Sequence, residues 1–114
     1  MLQKSTKKAL VEDVLKRGLS YSDGVIQLKY LRNINNTAKR PQLFAFVVSS
    51  KTEKLAVKRN LLKRRGRHIV RNDNSLIDKD YDCVFFFKKG VSMLSFKELE
   101  GKIVFLLRKA KIIR

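Results

Sequence analysis

The stretch Lys54-Leu55-Ala56-Val57-Lys58-Arg59-Asn60-Leu61-Leu62-Lys63-Arg64-Arg65-Gly66-Arg67 places seven cations in fourteen residues without becoming a featureless basic run. At about 100° of turn per helical residue, Arg59, Asn60, Lys63, Arg64, Arg67 and Arg71 share an arc of about 140°, and Val57, Leu61, Leu62 and Ile69 lie opposite. The spacing predicts one helix with a packing side and a side that offers guanidinium and ammonium groups to a polyanion. Arg65 projects into the apolar arc, so either its side chain snorkels to the surface or the helix bends near Gly66.

On either side of this helix the period changes from helix to strand. Leu43 to Ser49 reads as a long strand leading into it, and Asn72-Asp73-Asn74-Ser75 supplies turn chemistry after it. Tyr81 to Phe87 is a continuous apolar run, as expected of a strand covered on both faces. Earlier in the chain, Ile26, Leu28 and Tyr30 alternate with Gln27 and Lys29, the period of a half-buried strand. The segment 32–41 is rich in turn formers and cations and reads as an exposed hairpin loop. A first helix, capped by Ser5 or Thr6, carries Leu10, Val11, Val14 and Leu15 at helical spacing and stops at Gly18. Ser95 starts a last helix to about Ala110, with Glu98 placed for a capping box. The order α-β-β-α-β-α predicts a two-layer α/β sandwich with one mixed sheet, a single domain over residues 1–114.

The chain has 27 Lys+Arg against 10 Asp+Glu, a formal charge of +17, while 44% of its residues are apolar, enough to fold around a core. Self-repulsion of that size makes nucleic acid the expected partner. A membrane surface is the rival, but it calls for a bulky apolar helix face that the basic helix lacks. No apolar stretch is long enough to span a bilayer and no signal-peptide pattern opens the chain, so a cytoplasmic location is expected. The single cysteine, Cys83, lies inside the apolar run and reads as a buried thiol. The single histidine, His68, falls on the apolar side of the basic helix and reads as packed structure. Asp78, Asp80 and Asp82 crowd a turn and strand start, where turn-making or solvation is their commonest role. No nucleophile triad, phosphate loop or metal-ligand cluster is evident, which argues against an active site in the chain itself.

The series Lys54, Ala56, Val57, Arg59, Asn60, Lys63, Arg64 and Arg67 resembles the signature helix of the bacterial ribonuclease P protein subunit. The flanks match in order: Lys16-Arg17-Gly18 and Ser20 after the first helix, Val48 to Lys51 before the motif, Tyr81-Asp82 at the late strand, and Leu94-Ser95-Phe96 at the last helix. The likeness runs from about Ala9 to Ile113. It departs from the family pattern at Leu61, Arg65 and Gly66.

The resemblance implies a left-handed crossover through the basic helix, in a fold of the kind seen in the second domain of a small-subunit ribosomal protein. It implies an RNA-binding, non-catalytic subunit of an endoribonuclease that removes the 5′ leader from precursor tRNA. The RNA partner would perform the hydrolysis with Mg²⁺ held by RNA and substrate, not by a protein site. The residues expected to contact ribonuclease P RNA are Lys51, Lys54, Lys58, Arg59, Asn60, Lys63, Arg64, Arg67 and Arg71. A cleft between the first helix and the sheet would hold the leader, with Val11, Leu15, Ser20, Gln27 and Lys29 as candidates. Two helix-one aromatics of the family correspond to Val11 and Leu15, and a strand tyrosine to Lys29, which implies less base stacking. Phe44 and Phe46 face either this cleft or the core. No membrane or small-molecule partner is expected. The alternatives are a structural RNA binder of ribosomal type and a DNA-binding regulator that sets its basic helix in a major groove.

Overall fold

Strand pairing places Tyr81–Phe87 at the centre of the protein. The computed structural model describes residues 7–32, 42–73 and 75–113. Its elements are α1 (Lys7–Arg17), β1 (Leu19–Asp23), β2 (Ile26–Arg32), β3 (Phe44–Val48), α2 (Ala56–Asn72), β4 (Tyr81–Phe87), a short 3₁₀ turn at Val91–Met93, and α3 (Phe96–Lys109). The single sheet has the order β1-β2-β4-β3. β4 runs antiparallel to β2 and parallel to β3, so the sheet is mixed and α2 is the crossover between parallel neighbours. Asp82 accepts from the Leu43 N–H at 3.0 Å, and Cys83 donates to the Leu43 carbonyl at 2.9 Å, which sets where β3 begins beside β4.

The α/β architecture agrees with the pattern of periods, with one strand more than expected. Leu19–Asp23 pairs antiparallel with β2 through a two-residue turn, Gly24-Val25, in which Gly24 sits at φ 61°. Hairpin turns of this length need a positive φ, which glycine adopts without strain. β1 escapes the alternation test because it is a mostly exposed edge strand that carries two serines. The hairpin-loop segment, apart from Arg32, and the Ser5 or Thr6 cap lie outside the described residues. Ser95 caps α3 as expected: its hydroxyl accepts from the Glu98 N–H at 3.1 Å, and the Glu98 carboxylate accepts from the Ser95 N–H at 2.9 Å. The Ser95 N–H foremost, and the Ser95 hydroxyl after it, hold the Glu98 carboxyl below its usual range.

The strands alternate faces, and the two faces are covered differently. Ile26, Leu28, Phe46, Phe85 and Phe87 pack with Leu62 and Ile69 of α2 and with Leu99, Ile103 and Leu106 of α3. On the other face Ala45, Val84 and Leu43 surround Val14 of α1 in a smaller cluster. Phe44 and Phe46 both belong to the α2/α3 face, and Phe46 stacks on Phe85 with ring centroids 5.2 Å apart. Strand alternation therefore removes both residues from the proposed cleft, because any cleft under α1 faces the side of Ala45 and Val47.

Candidate nucleic-acid interface

α2 is continuous from Ala56 to Asn72, and its buried stripe is Leu62, Gly66, Ile69 and Val70. Gly66 lets the helix touch the sheet: a Cβ there would lie 2.5 Å from two ring carbons of Phe46. Because this contact sets the helix's roll, the buried stripe is turned away from the predicted apolar arc. Val57 is 80% exposed and Leu61 only half-buried, contrary to the helical-wheel expectation. Arg59, Lys63 and Arg65 are half-buried beside the stripe, so Arg65 snorkels from the helix flank and Gly66 does not break the helix. Lys58, Asn60, Arg64, Arg67 and Arg71 are exposed, as are Lys51 and Lys54 in the preceding loop.

That loop is tied to the helix by one of its cations. Leu55 at the N-cap has no side chain able to cap, and Arg59 Nη1 donates instead to the carbonyls of Glu53 at 2.8 Å and Lys54 at 2.9 Å. The Ser49 carbonyl accepts from the Thr52 and Glu53 N–H groups, closing a tight turn at the end of β3. A guanidinium carries five donors, so Arg59 can brace the loop and still bind an anion. No acid stands in the first turn, but the Glu53 carboxylate accepts from the Leu55 N–H at 3.2 Å, so Lys51, Lys54 and Lys58 share the N-terminal end of α2 with one acid.

The second candidate region lies between α1 and the sheet. Ser20, Gln27 and Lys29 share the α1-side face of β1 and β2, and Gln27 Nε2 donates to Ser20 Oγ at 3.1 Å. Val11 is half-buried against the small cluster, while Leu15 is 40% exposed. Sequence reasoning missed two residues here, Phe86 and Val47. Register places Gln27, Phe86 and Val47 in one row across β2, β4 and β3. Phe86 is half-buried, with Lys29 Nζ 5.9 Å from its ring centroid, and Val47 is exposed. The signal was Phe86's place between Phe85 and Phe87, since in a strand the middle residue must face the other way.

The ribonuclease P family model matches residues 4–111. The ribonuclease P protein component of Streptococcus pneumoniae serotype 4 is 33% identical over 103 residues, covering 89% of this chain and 78% of its own. The chain belongs to the ribonuclease P protein family. The fold agrees with that of solved family members. The Staphylococcus aureus RNase P protein superposes with a TM-score of 0.79 at 19% identity, over 99% of this chain and 96% of its own. The Thermotoga maritima protein gives 0.77 at 23% identity, over 95% and 97%.

Cys83 is buried, and burial with Asp82 beside it pushes the thiol well above its usual range. Asp78 accepts from the Asp80 N–H at 2.9 Å, the expected turn-making, but Asp82 is buried and locks β3 to β4. His68 differs from its expected place. It is exposed, 5.8 Å between centroids from Phe96, and its Nε2 lies 3.3 Å from Asn72 Nδ2. Among the described residues no three His, Cys, Asp or Glu side chains cluster to hold a metal ion. No helix among them is long and apolar enough to cross a membrane.

Proposed function

We propose that this protein is the RNA-binding subunit of a ribonuclease P that removes the 5′ leader from precursor tRNA, and that its RNA partner carries out the cleavage. The observation that carries this reading is the exposed face of α2, where Lys58, Asn60, Arg64, Arg67 and Arg71 stand together in a chain of this family. Arg suits phosphate because its planar fork donates two parallel hydrogen bonds, and Asn60 can address a 2′-hydroxyl or a base edge. Lys51, Lys54, Arg59 and Lys63 extend the contact toward the β3 loop and along the helix flank. The Mg²⁺ that such hydrolysis needs is assigned to RNA and substrate; of the acids in the chain, Asp78 makes a turn and Asp82 holds strand registry.

The leader is assigned to the region under α1. Lys29 supplies backbone charge there, Phe86 a single ring for stacking, and Ser20 and Gln27 hydrogen bonds. Reconstitution with the ribonuclease P RNA of the same organism, followed by precursor-tRNA cleavage, tests the whole reading. The protein alone should cleave nothing with Mg²⁺, and the complex should release the leader. Arg64→Ala should weaken RNA binding and reduce its salt dependence, since each lost phosphate contact lowers the counterion slope by about one. Unchanged binding at moderate salt would remove α2 as the interface, and an inactive complex that still binds RNA would favour a purely structural RNA binder.

A further inference from the structure

A depression of about 400 Å³ opens at the end of the sheet remote from the Gly24 turn, beside the C-terminal ends of α1 and α3. Arg17, Arg32 and Lys111 line it with Tyr30, Tyr81 and Leu19, and no Asp or Glu contributes to the lining. Asp82, next to Tyr81 in the chain, is the strand lock to Leu43. The Arg32 guanidinium lies 6.0 Å from the centre of the Tyr81 ring. No α2 residue takes part, so the site is distinct from the basic helix.

Lys111 holds a conformation that its residue type resists. Its φ is 60°, and it is the one non-glycine residue at positive φ among the described residues. α3 ends there in a Schellman arrangement: the Lys111 N–H donates to the Arg108 carbonyl and the Ile112 N–H to the Leu107 carbonyl, both at 2.9 Å. Glycine is the usual occupant of that position, because an L side chain is strained in the left-handed region. A lysine kept in a glycine position, with its side chain on a cationic pocket, points to a use for the side chain.

We propose that this pocket binds a nucleoside phosphate, with Lys111, Arg17 and Arg32 around the phosphate and Tyr81 and Leu19 against the ribose or base. Three cations suit the anion. Leu19, 66% exposed, and the half-buried Tyr81 supply the apolar wall that a bare phosphate would not need. The volume lies in the range of small-ligand sites. A free mononucleotide and one nucleotide of a single-stranded RNA offer the same chemistry.

The chain provides its own probe. It has three tyrosines and no tryptophan. Tyr21 stacks on Tyr30 at 6.1 Å, and Tyr30 meets Tyr81 at 6.0 Å, so all three rings report on this end of the molecule. Full-length protein carrying ¹³C-labelled tyrosine rings is titrated, at matched ionic strength, with uridine 5′-monophosphate, inorganic phosphate and a single-stranded pentauridylate. Saturable shifts of Tyr30 and Tyr81 with the mononucleotide are expected, with an affinity roughly tenfold weaker in Lys111→Gly and in Arg32→Ala. Lys111→Gly should at the same time melt about 2–5 °C higher, because the strain is relieved. Pentauridylate binding at far lower concentration than the mononucleotide would assign the site to RNA, and equal binding to the free nucleotide. The proposal is overturned if Lys111→Gly binds as tightly as the parent, if it melts lower, or if inorganic phosphate gives the same shifts at the same concentrations. The mononucleotide, phosphate and melting outcomes do not depend on how α2 or the α1 face binds RNA, and pentauridylate binding is assigned to this pocket only where Lys111→Gly weakens it.

Discussion

Phe85 and Phe86 are neighbours in one strand and share one side chain, yet they belong to different regions of the protein. Phe85 is fully buried and stacked on Phe46 beneath α2 and α3. Phe86 is half-buried beside Lys29, on the face that α1 only partly covers. The coverage differs because two helices of 17 and 14 residues lie on the first face and one of 11 on the second. Under α1 the sheet offers Ala45 and Val84, small residues that let the helix sit close at Val14 and leave the row Gln27-Phe86-Val47 only partly covered. The filled face carries most of the apolar burial that stabilises the fold. The open face retains exposed apolar and polar groups side by side, the composition of a binding surface.

The largest effect should follow from emptying the filled face. Phe46→Ala removes a ring held between Phe85 and Phe87 and leaves a cavity beneath Gly66. Denaturant unfolding should show a loss of about 3–5 kcal/mol, the range for buried aromatic truncations. The fraction that remains folded should bind the leader normally. A leader-specific loss with unchanged stability would mean that Phe46 serves the open face, and the division between the faces would fail.

Next in size is the contact that seats the basic helix. Alanine is favoured over glycine in a helix by about 1 kcal/mol. Gly66→Ala should nevertheless destabilise by about 1–3 kcal/mol, because its Cβ meets the Phe46 ring and that ring is held by two others. Adding Phe46→Leu should recover part of the loss, a favourable coupling in a double-mutant cycle that a remote pair would not show. Additive losses would mean that helix and sheet do not touch at this point.

The elements with a strong period were legible in the sequence: β2, β4, α2 and the capped start of α3. The basic face was legible as well, since Arg64, Arg67 and Arg71 are exposed as their spacing required. What the wheel missed was the roll of α2. Hydropathy placed Val57 in the packing face, but the roll is set by Gly66, a residue whose role is the absence of a side chain and which has no hydrophobic signal to read. The cleft was legible only in part. Ser20, Gln27 and Lys29 share a face as expected, whereas the side taken by Phe44 and Phe46 depended on which residue of β3 pairs with Cys83. That register is set by Asp82 reaching the Leu43 N–H across 39 positions of sequence, a long-range bond that no local pattern encodes.

The smallest effect sharpens the comparison from the open side. Lys29 is half-buried, 5.9 Å from the Phe86 ring and opposite Ser20 in the β1–β2 register. Lys29→Ala should leave stability almost unchanged and weaken leader-bearing precursor tRNA by about 0.5–1 kcal/mol, the scale of one exposed charge contact, with mature tRNA bound as before. Phe86→Ala should lower leader affinity by about 1–3 kcal/mol if a base stacks on that ring. With one ring available in place of several, changing the leader sequence should alter affinity little, and Lys29→Ala should not increase that preference. Binding measured across a salt series separates the contributions, because the lysine's share fades with ionic strength and the ring's does not. Equal weakening of leader-bearing and leaderless tRNA by Lys29→Ala would mean that the face under α1 touches the tRNA body, and the open region would then need a different occupant.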